Sequence, residues 1–250
     1  MKSDRSHGSA ARCAAICSSV TGNAGIRVGY LDELKQQAAA AKARQTTDFG
    51  ALDRNMQLVE SACTSAFRYF GALAQQLNVL QPVSKLVFRF DNKHSFTSLK
   101  LCDFVADGRQ RKLRDADVFD HVLLRYNLKT GSRVSLAKDF PPEIEKLEAK
   151  LQQCGALFQS ERVRNPQTGR FVETRFDIQA DFRAWVKIVP DHDSGWIQFQ
   201  LVNLDGFETV SISLPAFEVG SARLDELARW IVGEPNTFLR DGQHLRRVVV

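Results

Sequence analysis

Two histidine–carboxylate arrangements stand out among the residues able to do chemistry: Asp120-His121 and Asp191-His192-Asp193. A histidine oriented by a carboxylate is a common general base, provided a partner positions it. Asp120 and His121 fall in a stretch with strand-like alternation, so their side chains are expected on opposite faces, and no third group in view orients the imidazole. His121 therefore reads as a strand residue with an ordinary partner. Asp191-His192-Asp193 runs into Ser194-Gly195, the composition of a polar hairpin tip more than of a cation site, because Asp and Gly suit turns. Asp115 and Asp117 form a carboxylate pair beside Arg114, and a solvated loop accounts for them. Cys13 and Cys17 have a ligand-like spacing, but no second pair follows at zinc-finger distance. The chain has no G-x-S-x-G, no phosphate-cradling Gly-rich loop and no H-E-x-x-H. No catalytic residue, metal ligand or cofactor is expected.

The remaining chemical signal is positive charge. The 250-residue chain carries a net charge of +5, and the segment Lys85–Arg114 holds eight basic residues against three acidic ones. Within it Arg109, Arg111, Lys112 and Arg114 form a compact run beside Asp107-Gly108, which is expected to turn. These four are the candidate contacts to an anionic partner. A second set, Arg162, Arg164, Arg170, Arg175 and Arg183, lies near Phe158 and Phe171. Basic side chains beside aromatics on a sheet can hold single-stranded nucleic acid. Charge runs more often only solvate a surface, and Glu161, Glu173 and Asp177 lie close by in sequence.

The elements that must position these residues are legible from periodicity. Leu52, Met56, Val59, Cys63, Ala66, Phe70, Leu73, Leu77 and Leu80 recur at steps of four and three, the one-face pattern of an α-helix. Ala62, Phe67 and Ala74 widen the stripe, which suits packing on a sheet better than a two-stranded coiled-coil seam. A shorter helix is expected over Tyr30–Arg44, broken by Thr46-Thr47-Asp48-Phe49-Gly50. From Val83 the period becomes two. Strands are expected over Lys85–Phe90, over Phe96–Ala106 closed by Asp107-Gly108, and over Val118–Leu128 and Val134–Lys138 around a hairpin turn at Lys129–Ser132. Pro141-Pro142 starts a helix that Gly155 ends. Strands Ala156–Val163, Arg170–Val189, Trp196–Leu204 and Glu208–Leu214 follow. Phe176, Ile178, Ala180, Phe182, Ala184, Val186 and Ile188 give the clearest alternation in the chain. Ser221 is expected to cap a last helix, stopped by Gly233 and Pro235. A loose basic end follows, with an edge strand at Arg247–Val250.

The resulting fold class is α+β: N-terminal helices, one of them long and amphipathic, packed on an antiparallel β-sheet. The organisation reads as a tail over 1–27, a helical segment over 28–82, a first strand group with helix over 83–155, and a second strand group with helix over 156–250. Leu147-Glu148-Ala149 echoes Leu224-Asp225-Glu226, pointing to two similar four-strand-plus-helix halves on one sheet or two packed sheets. The tail is rich in Ser, Ala and Gly and too interrupted for a signal sequence. Val28-Gly-Tyr-Leu-Asp-Glu-Leu itself reads as a natural amino terminus, and a valine codon can serve as a bacterial start. Of five cysteines, three sit at apolar positions, as buried thiols do in a reducing cytoplasm. No run approaches the roughly 20 apolar residues of a membrane span.

The leading expectation is a non-catalytic, cytoplasmic, bacterial-type protein that binds a macromolecular partner or itself. The alternative is a nucleic-acid binder using residues 85–114 and 162–183. A third reading is an enzyme or small-ligand carrier whose site is assembled from distant residues.

Overall fold

The computed structural model describes residues 30–91 and 94–249. The tail over 1–27, with Cys13, Cys17 and the alternative start at Val28, lies outside them. The chain divides into two units, Met1–Thr46 and Thr47–Val250. In the first, the described residues are helical and the side chains over 33–42 are exposed.

Helix α1 spans Tyr30–Leu80 without interruption, so the break expected at Thr46–Gly50 does not occur. Thr, Asp and Gly each cost a helix up to about 1 kcal/mol, but none removes a backbone donor as proline does. The helix ends where Gln81 takes a positive φ of 43° ahead of Pro82. Val59, Ala62, Cys63, Ala66, Phe70, Ala74 and Leu77 are buried, while Phe67 and Leu80 at the margins of the stripe stay exposed.

Two short strands, β1 (Phe88–Arg89) and β2 (Ser95–Phe96), form a separate antiparallel pair. The main sheet is antiparallel and seven-stranded. It comprises β3 (Lys100–Leu113), β4 (Ala116–Lys138), β5 (Leu157–Arg164), β6 (Phe171–Asp191), β7 (Trp196–Val202), β8 (Glu208–Pro215) and β9 (Gln243–Val249). Its order is β3-β4-β6-β7-β8-β9, with β5 beside the first half of β6. Helix α2 (Pro141–Cys154) joins β4 to β5 and buries Ile144, Leu147, Leu151 and Cys154. Gly155 closes it in the left-handed conformation, φ 66°. Helix α3 (Ser221–Ile231) has Gly220, not Ser221, at its N-cap.

The expected fold class is observed, with helix packed on an antiparallel sheet. Four strands and then a helix do occur in each half, but the pairing differs. Strands β1 and β2 stand apart, whereas β5, β6, β7 and β8 all belong to the main sheet.

Two expected turns and one strand boundary are corrected. Asp107-Gly108 lies inside β3, and the β3–β4 turn is at Arg114-Asp115, with φ of 49° and 66°. Lys129–Ser132 is not a hairpin turn but an irregularity within β4, where Lys129 pairs with Asp181 and Arg133 with Gln179. Its extra residues bulge out, held by Thr130 Oγ1 donating to the Ala180 carbonyl at 2.9 Å. The edge strand at the carboxyl end begins at Gln243 rather than Arg247, and Val250 lies outside the described residues.

Strand β6 shows what the sheet does. Every even residue from Thr174 to Pro190 is buried, and every odd residue from Phe171 to Asp191 is exposed or half-buried. The even face, the stripe of α1, α2 and α3 share one hydrophobic cluster. Within it Phe207 packs against Phe88, Phe90, Phe96 and Phe182, the last at 4.7 Å between ring centres. On the odd face Arg183 is exposed and Trp185 and Lys187 are half-buried.

Candidate functional site

The odd face of β6 carries Arg183, Trp185 and Lys187 in succession. Alternate residues of a strand project to one side about 6.6–6.8 Å apart, so the tryptophan stands between two cations. Register then brings in β4: Arg125 lies opposite Trp185, Leu123 opposite Lys187, and Asn127 opposite Arg183. From β7, Gln200 lies opposite Lys187. From β3, Val105 lies opposite Arg125. The result is a groove of about 680 Å³, lined by these side chains together with His121 and Asp103.

Its electrostatics are one-sided. Arg125, Arg183 and Lys187 form no ion pair among the described residues. Asp103 is already engaged: its Oδ2 accepts from Lys129 Nζ at 2.6 Å and from Asn127 Nδ2 at 2.9 Å. Those bonds hold the Asp103 carboxyl down at about 2. His121 Nδ1 lies 2.9 Å from Asp120 Oδ2. Strand alternation predicts the two on opposite faces. A register shift between Arg109 and Gln110 leaves Asp120 unpaired in the ladder, and such a bulge re-aims the side chain. The bond from His121, with Arg109 and Arg111 beside it, holds the Asp120 carboxyl below the usual range.

The four basic residues expected at a turn lie instead on the edge strand β3 and at its end. Lys112 pairs with Asp117 at 3.0 Å, Arg111 with Asp120 at 3.9 Å, and Arg114 with Asp193. Arg109 stands opposite His121, which lines the groove. The carboxylates Asp115 and Asp117 fall at the β3–β4 turn and the start of β4.

The second basic set does not join the first. Arg162, Arg164 and Arg170 lie at the β5–β6 hairpin and Arg109–Arg114 near the far end of β6. Strand β6 has 21 residues, on the order of 70 Å of extended chain. Arg175 pairs with Glu173 at 2.7 Å. Only Arg183 of that set enters the groove. Phe158 packs toward Phe176 and is not a free platform.

Asp191-His192-Asp193 is a hairpin tip, but one that anchors α1. His192 is 2% exposed, and its Nε2 lies 2.8 Å from Glu60 Oε1. The same oxygen accepts from the Phe119 amide at 2.9 Å, and Asn55 Nδ2 donates to the Asp193 carbonyl at 2.7 Å. Those contacts tie α1 to the β6–β7 turn and the start of β4.

Cys63, Cys102 and Cys154 are free and buried. Burial pushes the thiols of Cys63 and Cys154 up to about 12, which removes the thiolate that nucleophilic chemistry needs. Among the described residues no group of three or more His, Cys, Asp or Glu side chains is placed to hold a metal ion. None of their helices is long and apolar enough to cross a membrane. The groove lining contains no Ser, Thr or Cys.

Reading the sequence alone missed Arg125, Trp185 and Lys187. The available signal was Arg183-x-Trp185-x-Lys187 on the wet face of the best-defined strand. Arg125 was invisible because only the β4–β6 register places it there. Comparison with protein-family models, with curated proteins and with solved structures finds no match to this chain.

Proposed function

We propose that this is a non-catalytic binding protein that takes an anionic macromolecule on the open face of its sheet, around Trp185. The observation carrying this reading is that Arg125, Arg183 and Lys187 surround Trp185, a half-buried indole lining the groove, without forming an ion pair among the described residues. A merely solvated face tends to intersperse charges of both signs. The edge run does so here: three of its four cations are paired with local carboxylates. The groove is open on one side, as a long partner requires, and its lining contains no Ser, Thr or Cys.

The test is a titration with heparin, a generic polyanion, at several salt concentrations. Binding is expected to weaken with salt, each anion contact adding about 0.7–0.9 to the log–log slope. The triple variant Arg125→Ala, Arg183→Ala, Lys187→Ala should lower that slope by roughly two to three. Replacing Arg109, Arg111, Lys112 and Arg114 by Ala should change it little. Loss confined to the second variant moves the site to the edge strand. Absence of binding by the unaltered protein at ~0.15 M salt, where exposed charges are screened beyond about 8 Å, refutes the reading.

A further inference from the structure

We infer that the partner of this face is single-stranded nucleic acid, with a base stacked on Trp185 and its phosphates held by Arg183, Arg125 and Lys187. This rests on the binding reading above and names its ligand.

Three features of the groove favour a nucleotide chain over an acidic peptide. First, cation, indole and cation alternate along one strand as Arg183, Trp185 and Lys187, with Arg125 directly across from the indole. A base flanked by phosphates on both sides has the complementary order, and a run of carboxylates offers nothing to the ring. Base–aromatic stacking tolerates any base, because each has a π-face. Second, Asn127 and Gln200 border the same groove. Asn127 Nδ2 is engaged with Asp103 and Gln200 Nε2 with Gln198, but their side-chain oxygens are acceptors that base N–H groups can meet and carboxylates, which only accept, cannot. Third, Arg183 and Lys187 are four residues apart on one strand, about 13 Å. That span exceeds a single phosphate group, so a chain satisfies both cations better than a mononucleotide does. A duplex buries its base faces in its own stack, so the indole selects for unpaired bases.

Binding is followed by the fluorescence anisotropy of an end-labelled probe, which reads every variant, and the quench of tryptophan emission that disappears in Trp185→Phe is the part owed to this one of three tryptophans. The full chain is titrated with an oligouridylate of about 12 nucleotides, within the usual span of such sites. Oligoglutamate of similar length and uridine monophosphate are the comparison probes. Oligouridylate is expected to quench the emission and to bind tighter than either comparison probe. Trp185→Ala should weaken that binding about five- to a hundredfold, with Trp185→Phe retaining most of it. Arg125→Ala, which leaves the indole in place, should lower the salt slope by roughly one. This second variant keeps the inference exposed if Trp185→Ala lowers the yield of folded protein. Oligoglutamate binding as tightly, with no dependence on Trp185, overturns the nucleic-acid assignment and leaves the anion-binding face standing. Uridine monophosphate binding as tightly as the oligomer overturns it in favour of a small ligand. Failure of oligouridylate, oligoglutamate and heparin alike removes both the ligand and the binding face.

Discussion

The two faces of β6 are built from interleaved residues of one strand, yet they obey opposite rules. On the even face Phe176, Ile178, Phe182, Val186 and Ile188 are at most 2% exposed and join one cluster with three helices. On the odd face Arg183, Trp185 and Lys187 remain accessible and their charges are not balanced by neighbours. The even face is explained by burial alone, at about 25 cal/mol for each Å² of apolar surface. The odd face is not explained by stability. Trp185 and Lys187 are half-buried and gain part of that burial on folding, but three like charges gathered around the indole repel one another, and the proposed anionic partner would offset that repulsion. The edge run shows the contrast from the other side: there Lys112, Arg111 and Arg114 meet Asp117, Asp120 and Asp193, and local carboxylates offset most of its charge.

The sharpest way to break this contrast is at the core. Phe70 is 0% exposed, within the helix stripe that covers the even face. Phe70→Ala should cost about 3–5 kcal/mol in denaturant unfolding. An unchanged midpoint would mean that α1 is not packed on the sheet and that the even face is open too.

The next largest effect is expected at the anchor between α1 and the sheet. Glu60→Ala strands both the Phe119 amide and the His192 ring, which share one carboxylate oxygen. Leaving such groups unpartnered costs about 1–3 kcal/mol. Glu60→Gln keeps an acceptor oxygen and should cost less. Equal melting temperatures for Glu60→Ala and the unaltered protein would show that the anchor is dispensable.

A much smaller change belongs to the open face. Lys187→Ala should alter stability by no more than about 0.5 kcal/mol while lowering the salt slope of polyanion binding by roughly one. The reverse outcome, lost stability with unchanged binding, would make the odd face structural.

The difference between the faces also explains what could be read without coordinates. Burial enforces period, so the even face of β6, the stripe of α1 and the four inward residues of α2 were all visible in the sequence. Turn chemistry was less faithful. Gly108 is a glycine for packing rather than turning: a Cβ there would sit 3.1 Å from the Phe119 ring and 3.3 Å from Phe67. Lys129-Thr130-Gly131-Ser132 has hairpin composition, and Gly131 does take φ 68°. Whether such residues reverse the chain or bulge from it is decided by pairing along β6, a non-local fact. The groove was least legible, since Arg125 and Trp185 lie 60 positions apart in sequence and are opposite only through register. The edge cations were visible as a run, but the carboxylates that neutralise them come from the β4 start and the β6–β7 turn.

The smallest expected effect tests whether the Asp103–Lys129 pair keeps its acid from competing for the groove. Hydrogen bonds from Lys129 and Asn127 hold the Asp103 carboxyl at about 2, below the ordinary value near 3.9. A carboxyl whose folded value is depressed adds stability that is present above its unfolded value and lost as pH falls through the folded one. The window therefore runs from about pH 4 down to about pH 2. Both side chains are close to half exposed, 45% for Lys129 and 52% for Asp103, so solvent screening keeps the pair's contribution below about 1 kcal/mol. Lys129→Ala should raise the Asp103 titration toward the ordinary range, followed through its carboxyl carbon by NMR. The variant and the unaltered protein should differ slightly in stability at neutral pH and converge near pH 2. Without the lysine the Asp103 charge is no longer offset beside the groove, so polyanion affinity should also fall. Unchanged affinity alongside a shifted titration would place Asp103 outside the binding surface and confine the site to β4, β6 and β7.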